Sequence, residues 1–442
     1  MKAIHVTSLG CPKNFVDSEV MIGLLQQDGW QIVEQPEDAD VLLVNTCGFI
    51  QAAVEESIEE ILTLSSYTFK KTRKLVVTGC LVQRYREKLQ AELPEIDLMI
   101  GTEGVKDIHV LLRGLFAGDQ VQKLHLPERF LMNADLPRRI ATPFYRAWMK
   151  ITEGCSNHCS YCMIPSIRGP LRSREIRDLT QEARRLAEEG VVELTLIAQD
   201  LTAYGTENGQ KSTLVPLLHS LLERTAIQWI RLLYLYPTGV TEDLLEIMAG
   251  NSRILPYLDI PMQHVSTEVL KGMNRNYTID SLVKIVEQCR RYIPDVALRT
   301  TFLVGFPGET EADVRLLESF LENMNIDHVG VFPYANEEGC PSEFFPGQLP
   351  DEVKQERLDR ILSLQSQISE KIQQKYLGKI EPVLIEGVSR ETDLLLEGRT
   401  RYQAPDIDGC VYINDGEASP GEIVQVRISE SQIYDLVGEI LR

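Results

Sequence analysis

Cys155, Cys159 and Cys162 fall within eight residues, in the run Glu153-Gly-Cys-Ser-Asn-His-Cys-Ser-Tyr-Cys-Met-Ile-Pro165. Four cysteines close an iron–sulfur cluster, whereas three hold a four-iron cluster and leave one iron open to another molecule. That open position is where chemistry can occur. A structural zinc site is the competing reading, but zinc wants a fourth ligand and usually a second pair further on. His158 is the nearest such ligand; it sits between two of the cysteines and reads better as a solvated loop residue.

The triplet follows the first of six apolar strand candidates: Tyr145 to Lys150, Val192 to Ile197, Trp229 to Leu235, Leu255 to Ile260, Val296 to Leu303 and Val329 to Pro333. Six strand and helix pairs predict a complete or partial (β/α) barrel, which carries its active site at the carboxyl ends of its strands. Upstream, residues 1–115 alternate strands and helices: Lys2 to Ser8, Val16 to Gln27, Asp40 to Asn45, Ala52 to Leu64, Lys74 to Thr78, Val82 to Leu93, Asp97 to Ile100 and Val105 to Leu115. That order specifies βαβ units in an open parallel sheet. Residues 116–142, with prolines and mixed charge, read as a linker. Apolar Val353, Leu358, Ile361, Leu362, Leu364, Ile368 and Ile372 recur at helical spacing, so a helix is expected from Asp351 to Tyr376. Beyond Gly378, Pro382 to Glu386, Asp393 to Glu397, Val411 to Asn414, Ile423 to Ile428 and Tyr434 to Ile440 form a small antiparallel β-barrel pattern.

The triplet, with aromatic Tyr161 directly before its last cysteine, resembles the signature of the radical S-adenosylmethionine (radical SAM) superfamily. The resemblance implies a four-iron cluster whose open iron binds SAM and reduces it to methionine and a 5'-deoxyadenosyl radical, with Tyr161 among the cofactor contacts. Three further cysteines refine this. Cys11 follows the first strand of the N-terminal unit, Cys47 the second and Cys80 the third, in Val77-Thr-Gly-Cys80. In a parallel sheet the carboxyl ends of strands share one edge, where open α/β folds bind ligands. Three cysteines packed near strand ends would be ordinary core residues; three identical placements favour a second open iron–sulfur cluster.

Two triads, one in an α/β unit and one in a barrel, followed by a β-barrel tail, resemble the radical SAM methylthiotransferase family over essentially the whole chain. Its motifs are matched by Ser8-Leu-Gly-Cys-Pro-Lys-Asn14, Asn45-Thr-Cys-Gly-Phe-Ile50, Cys155 to Arg168 with Pro165-Ser-Ile-Arg-Gly169, and Arg399-Thr-Arg-Tyr-Gln-Ala-Pro-Asp-Ile-Asp-Gly409. The fold class implied is α/β: an N-terminal open parallel α/β sheet over 1–115, a linker over 116–142, a central radical SAM (β/α) partial TIM-like barrel over 143–376, and a C-terminal TRAM-like antiparallel β-barrel over 377–442. Within the family, the match is to the branch that inserts a methylthio group at the β-carbon of one aspartate in small-subunit ribosomal protein twelve. The implied cofactors are two [4Fe-4S] clusters, on Cys11, Cys47 and Cys80 and on Cys155, Cys159 and Cys162, together with SAM. An electron donor and a sulfur source are implied partners, and no catalytic residue beyond the cluster ligands is implied. An aspartate β C–H is not acidic enough for a side-chain base near neutral pH, so hydrogen-atom abstraction is a better route than general acid–base catalysis.

Other residues carry weaker signals. Gln199 and Asp200 end the second barrel strand, and Gly305-Phe-Pro-Gly-Glu-Thr310 follows the fifth; the resemblance suggests SAM contacts, and a Gly-Pro turn opening a helix competes equally. Arg168 and Arg174 could pair with the SAM carboxylate through bidentate hydrogen bonds or form ordinary salt bridges. Gln263 and His264, ending the fourth strand, carry the same ambiguity. Cys289, Cys340 and Cys410 share no spacing and read as core or incidental thiols.

The 442 residues are 43% hydrophobic and contain nine cysteines, with a net charge of -20. That is ample for two or three cores. No apolar run approaches the ~20 residues that span a bilayer and no signal peptide opens the chain, so a cytoplasmic location without membrane contact is expected, its cysteines thiols and metal ligands. An acidic chain gains no general attraction to nucleic acid. The sister branch of the family modifies an adenosine in tRNA, yet residues 376–442 hold six Lys or Arg against thirteen Asp or Glu, a net of -7. Phosphates are repelled by such a tail and a basic ribosomal protein is drawn to it, which favours protein over RNA as substrate. RNA contact is possible but not favoured, and a non-catalytic iron–sulfur or RNA-binding protein is the remaining alternative.

Overall fold

A computed structural model of the chain describes residues 2–68 and 73–441. The N-terminal unit runs β1 (Ala3–Ser8), α1 (Pro12–Gln27), β2 (Gln31–Ile32), β3 (Val41–Thr46), α2 (Gln51–Ser65), β4 (Lys74–Gly79), α3 (Cys80–Glu92), β5 (Leu98–Ile100), α4 (Ile108–Ala117) and β6 (Leu124–His125). Its six strands are all parallel, in the order β2-β1-β3-β4-β5-β6. Every residue of β3, Val41-Leu-Leu-Val-Asn-Thr46, is buried, as befits a central parallel strand covered on both faces. From β1 the chain turns one way to β2 and then the other way to β3, so the strand order reverses between β1 and β3. A crevice opens at such a reversal beyond the carboxyl ends of the strands. Cys11 follows β1 and Cys47 follows β3.

Two short strands escape the sequence pattern. β2 and β6 have two residues each, too few to show alternation, and β6 lies within the 116–142 linker, which therefore supplies one more strand to this sheet.

The central unit runs β7 (Arg146–Lys150), β8 (Thr152–Glu153), α5 (Ile164–Arg168), β9 (Arg172–Ser173), α6 (Ile176–Glu188), β10 (Glu193–Ile197), α7 (Leu214–Arg224), β11 (Trp229–Leu232), α8 (Glu242–Gly250), β12 (Ile254–Asp259), α9 (Thr267–Gly272), α10 (Ile279–Tyr292), β13 (Ala297–Val304), α11 (Glu311–Met324), β14 (His328–Pro333) and α12 (Asp351–Gln373). Six parallel strands follow one another in the sheet from β7 to β14 without closing, so the barrel is partial. Capping boxes at Thr278–Ser281 and Thr310–Asp313 start α10 and α11 by satisfying helix amides that would otherwise lack partners. One face of the sheet buries Met149, Leu194, Leu196, Leu258 and Phe302 in the same core as Leu179, Leu217, Leu282 and Leu317 of the surrounding helices. The other face presents Trp148, Trp229 and Tyr257, which share a second core with Val16 and Val20 of α1 and with Val383, Tyr402 and Val426 of the C-terminal unit. Both outer units therefore press on the inside of the partial barrel.

The C-terminal unit, β15 (Ile380–Val388), β16 (Leu396–Thr400), β17 (Val411–Asp415), β18 (Ile423–Ser431) and β19 (Leu436–Ile440), is a closed barrel in the order β15-β16-β17-β19-β18. The all-antiparallel expectation needs correcting: β17 and β19 pair in parallel. An odd number of strands cannot alternate direction all the way round a closed ring, so five strands require one parallel pair.

The Arg399 to Gly409 motif docks this barrel. Arg399 donates to Glu193 at 2.6 Å and lies 3.0 Å from Glu386, Arg231 donates to Glu193 at 2.6 Å, and Asp408 accepts from Tyr257 at 2.6 Å. Burial alone would raise the Glu193 pKa, but Arg399 and Arg231 outweigh it and hold the carboxyl at about 2. A depressed folded pKa means that the pairing is fully present above the ordinary glutamate value of 4.5 and is lost as pH falls through about 2. Docking should therefore weaken between those two values. Glu193→Gln, which leaves two buried guanidinium groups short of a counterion, should cost roughly 3–5 kcal/mol. Limited proteolysis of the C-terminal unit against pH checks both; an unchanged cleavage rate in the variant would contradict the assignment.

Candidate active site at two cysteine triads

In the N-terminal unit each cysteine opens a helix-bound loop at the carboxyl edge of the sheet. Cys11 is the N-cap of α1, Cys80 is the first residue of α3, and Cys47 precedes α2. Helix N-termini carry partial positive charge, which favours thiolate over thiol. Two glycines let the loops stack. A Cβ at Gly10 would fall 2.8 Å from Cys47 Cβ and 3.1 Å from its Sγ, and a Cβ at Gly48 would fall 2.8 Å from the Leu81 backbone next to Cys80. Burial pushes the Cys80 thiol up to about 11; Arg168 pulls it down, and neighbouring Cys11 and Cys47 push further up. Cys11, Cys47 and Cys80 thus follow β1, β3 and β4 at one edge of the parallel sheet.

The second triad lies on the loop between β8 and α5. Its backbone is fastened on several sides: Cys155 N–H donates to Gly169 O at 3.0 Å, Ser160 N–H to Met273 O at 3.1 Å, Ser342 N–H to Ser160 O at 3.0 Å, and Asn157 to Asp200 at 2.8 Å. Burial drives the Cys162 thiol up to about 12, with Cys159 and Cys155 adding to the push. His158 is exposed, as expected of a solvated loop residue. Cys80 of the first triad shares a buried apolar cluster with Met163 and Ile167, which directly follow the second. That contact sets Cys80 beside the segment that follows Cys162.

Charged side chains span the gap. Arg168 donates to Asp17 at 3.0 Å, to both Glu153 oxygens at 3.2 Å, to Asn14 at 3.3 Å and to Cys80 Sγ at 3.5 Å. Lys150 pairs with Asp17 and, at 2.8 Å, with Glu153. Lys13 donates to the carbonyl of Ala198, just past β10, at 2.8 Å. The charges of Arg168, Lys150, Asp17 and Glu153 are thereby matched between the N-terminal sheet and the barrel mouth, while Lys13 meets only a carbonyl.

These contacts place the other residues singled out in the sequence. Arg168 donates to Asp17, Glu153 and Cys80, the salt-bridge alternative of the sequence reading, and so ties the first triad to the barrel. Arg174 likewise bonds Asp178 at 2.8 Å, Glu182 at 2.5 Å and the Lys150 carbonyl. Gly305 serves the turn: at φ 77° its N–H donates to Glu309, which pairs with Arg357 at 2.7 Å. Asp200 caps the turn after β10 and positions Asn157 of the triad loop. Gln199 differs, since both polar atoms of its side chain are buried without a partner. Gln263 holds a left-handed φ of 66°, and His264 accepts from Ser266 N–H and lies 3.4 Å from Glu309. Tyr161 accepts from Arg275 at 2.9 Å. Arg275 also donates to Tyr277 at 2.8 Å and to the Pro261 carbonyl at 3.1 Å. No spacing in the sequence singles out Arg275, and Lys13 lies inside the Ser8–Asn14 motif, where Cys11 carries the signal.

Residues 3–101 match the uncharacterized protein family UPF0004, 149–321 the radical SAM superfamily, and 377–441 the TRAM domain. The chain is 56% identical over 99% of both chains to the ribosomal protein uS12 methylthiotransferase RimO of Desulfotalea psychrophila. It is 47% identical to the protein of that name from Syntrophus aciditrophicus, over 99% of this chain and 98% of the relative. This chain belongs to the RimO family. It is a radical SAM methylthiotransferase. Among solved structures, the radical S-adenosylmethionine methyltransferase TsrM of Kitasatospora setae superposes with a TM-score of 0.56 at 14% identity, covering 75% of this chain and 73% of that one. At that identity the likeness is one of fold.

The residues of this RimO-family protein suit the cofactors of radical SAM chemistry. All nine cysteines are free of disulfides, and the buried Gln199 amide at the barrel mouth awaits a polar partner. No three Cys, His, Asp or Glu side chains among the described residues converge on a single metal ion; a four-iron cluster takes its thiolates at separate corners, one per iron.

A strap after β14 links the two sites of the methylthiotransferase. Glu337 accepts from Arg84 at 3.0 and 3.1 Å and from the Gln51 N–H at 2.7 Å, while Arg84 also donates to Gly48 O at 3.0 Å. Further along the strap, Ser342 bonds the Cys159–Cys162 loop, and Cys340 is buried with Cys80 and Met163. Cys340, which reads as incidental in the sequence, thus sits between the triads. Glu337→Gln, which strips Arg84 of a buried counterion, should loosen the Cys47 loop by roughly 3 kcal/mol. Hydrogen exchange at residues 47–51 should accelerate about a hundredfold; unchanged protection would show that the strap does not hold the loop.

Proposed function

We propose that this chain inserts a methylthio group at the β-carbon of an aspartate in ribosomal protein uS12, in the cytoplasm where that substrate is found. Cys155, Cys159 and Cys162 hold one [4Fe-4S] cluster and Cys11, Cys47 and Cys80 the other. When bound, the clusters supply the electron that cleaves SAM and the iron site that carries sulfur. The protein's part is to hold and orient. The 155–162 loop is pinned through Asn157, Ser160 and Cys155 N–H, and Gln199, Gln263 and Tyr161 line the barrel mouth as the SAM contacts. Arg168 holds Cys80 against the barrel through Asp17 and Glu153. The packing of Met163 and Ile167 against Cys80 keeps the triads adjacent and water out of the gap.

The observation that supports this reading is the packing of Cys80 against Met163 and Ile167, the segment that follows Cys162, because sulfur insertion needs radical and sulfur at the same carbon. The acidic C-terminal unit supports a basic protein over tRNA as substrate. An electron donor and a sulfur source complete the set of partners. Reduced, reconstituted protein incubated with SAM and either uS12 or tRNA should add a methylthio mass to uS12 alone. Product on tRNA alone would sink the substrate assignment, and no deoxyadenosine from SAM would sink the enzyme.

A further inference from the structure

Three lysines are buried among the described residues: Lys13, Lys150 and Lys354. Lys150 pairs with Asp17 and Glu153, and Lys354 with Asp351 at 2.8 Å. Lys13 has no carboxylate partner among the described residues. Its Nζ donates to Ala198 O at 2.8 Å and stands 4.0 Å from the centre of the Tyr234 ring. The largest favourable charge on Lys13 is that of Cys11, two residues away in the first triad, and the carboxylates that act on it, Glu153 and Asp259, are already taken by Lys150 with Arg168 and by Arg299. An ammonium group has three donors, and a buried one without an anion is costly. A carbonyl and a ring face leave at least one of its three donors free.

The surroundings are built to hold it there. Tyr234 keeps a left-handed φ of 63°, rare for an aromatic residue, with its N–H on Asp259 at 3.1 Å and its carbonyl accepting from Leu201 N–H at 2.9 Å. Such strain persists only where neighbours enforce it, and it concentrates at ligand sites. Lys13 also stands two residues past Cys11, the N-cap of the 16-residue α1 whose side chain makes no capping bond, while Ala198 adjoins the unpartnered Gln199. One side chain therefore carries positive charge from the first triad to the barrel mouth.

We propose that Lys13 binds the carboxylate of the aspartate that is modified. The assignment rests on the uS12 reading above and adds to it the group that recognises the acid. The carboxyl carbon is bonded directly to the β-carbon, so gripping the one fixes the other between the triads. A substrate without a carboxylate at that position leaves Lys13 buried and unpaired, which discriminates against it.

The test is calorimetric titration of the reconstituted protein with uS12 and with uS12 carrying Asn in place of the target aspartate, for wild type, Lys13→Met and Lys13→Arg. Wild type should prefer the Asp form by about thirtyfold; Lys13→Met should lose that preference by weakening only the Asp form, and Lys13→Arg should keep part of it. Equal loss on both forms, or a loss that falls on SAM affinity instead, overturns the assignment. Should Lys13→Met fail to fold in thermal melts, the wild type still decides, because no preference for Asp over Asn refutes a carboxylate subsite. Binding of neither form would instead refute the uS12 reading.

Discussion

Cys155→Ala should abolish deoxyadenosine production from SAM and take the iron content from about eight atoms per chain to about four. The expectation follows from ligand number. A site with one iron already open has three protein ligands, and removing one leaves two thiolates on a short loop. The loop itself should survive the change. Its fastening runs through backbone and neighbouring side chains, Cys155 N–H to Gly169 O, Ser160 N–H to Met273 O and Asn157 to Asp200, none of which uses the Cys155 sulfur. Far-ultraviolet circular dichroism should match wild type. Residual deoxyadenosine at more than a few per cent of wild type would show that Cys155 is not a ligand of the SAM-cleaving centre.

The companion result separates the two triads. Cys47→Ala should also lose about four irons per chain, keep SAM cleavage, and form no methylthiolated uS12. Alanine retains the Cβ that packs against Gly10, so the stacked loops persist while the sulfur is lost. The Cys155, Cys159 and Cys162 loop takes its hydrogen bonds from barrel residues and from Ser342, not from the Cys47 loop. Methylthiolated product from this variant would remove the role given to the N-terminal triad, and loss of SAM cleavage would mean that the two centres are not separable.

Much of this arrangement is legible without coordinates. The alternation of β-rich runs with helical periods places all six strands of the partial barrel, and a strand end before Cys11, Cys47 and Cys80 puts the three at one sheet edge, because parallel strands share that edge by construction. What the pattern misses has physical causes. β2 and β6 are too short for periodicity, and the parallel β17–β19 pair follows from ring closure, a property of five strands together rather than of any one. Side-chain partnership is the larger gap. Arg168 and Arg174 are close in sequence to a cofactor-binding loop, but a guanidinium pairs with whichever carboxylates the fold brings to it, here Asp17 and Glu153 for one and Asp178 and Glu182 for the other.

The sequence by itself determined the chemistry available: two sets of three thiols on loops that open helices, and an acidic tail. Spacing within a short loop and burial period along a strand are local properties, so they survive in a linear reading. Tertiary structure alone decided that Cys80 meets Met163 and Ile167, that Glu337 reaches across to Gln51 and Arg84, and that Lys13 is buried without a carboxylate partner among the described residues. Those contacts join residues far apart in the chain, and a buried charge declares its missing partner only when every neighbour is in place.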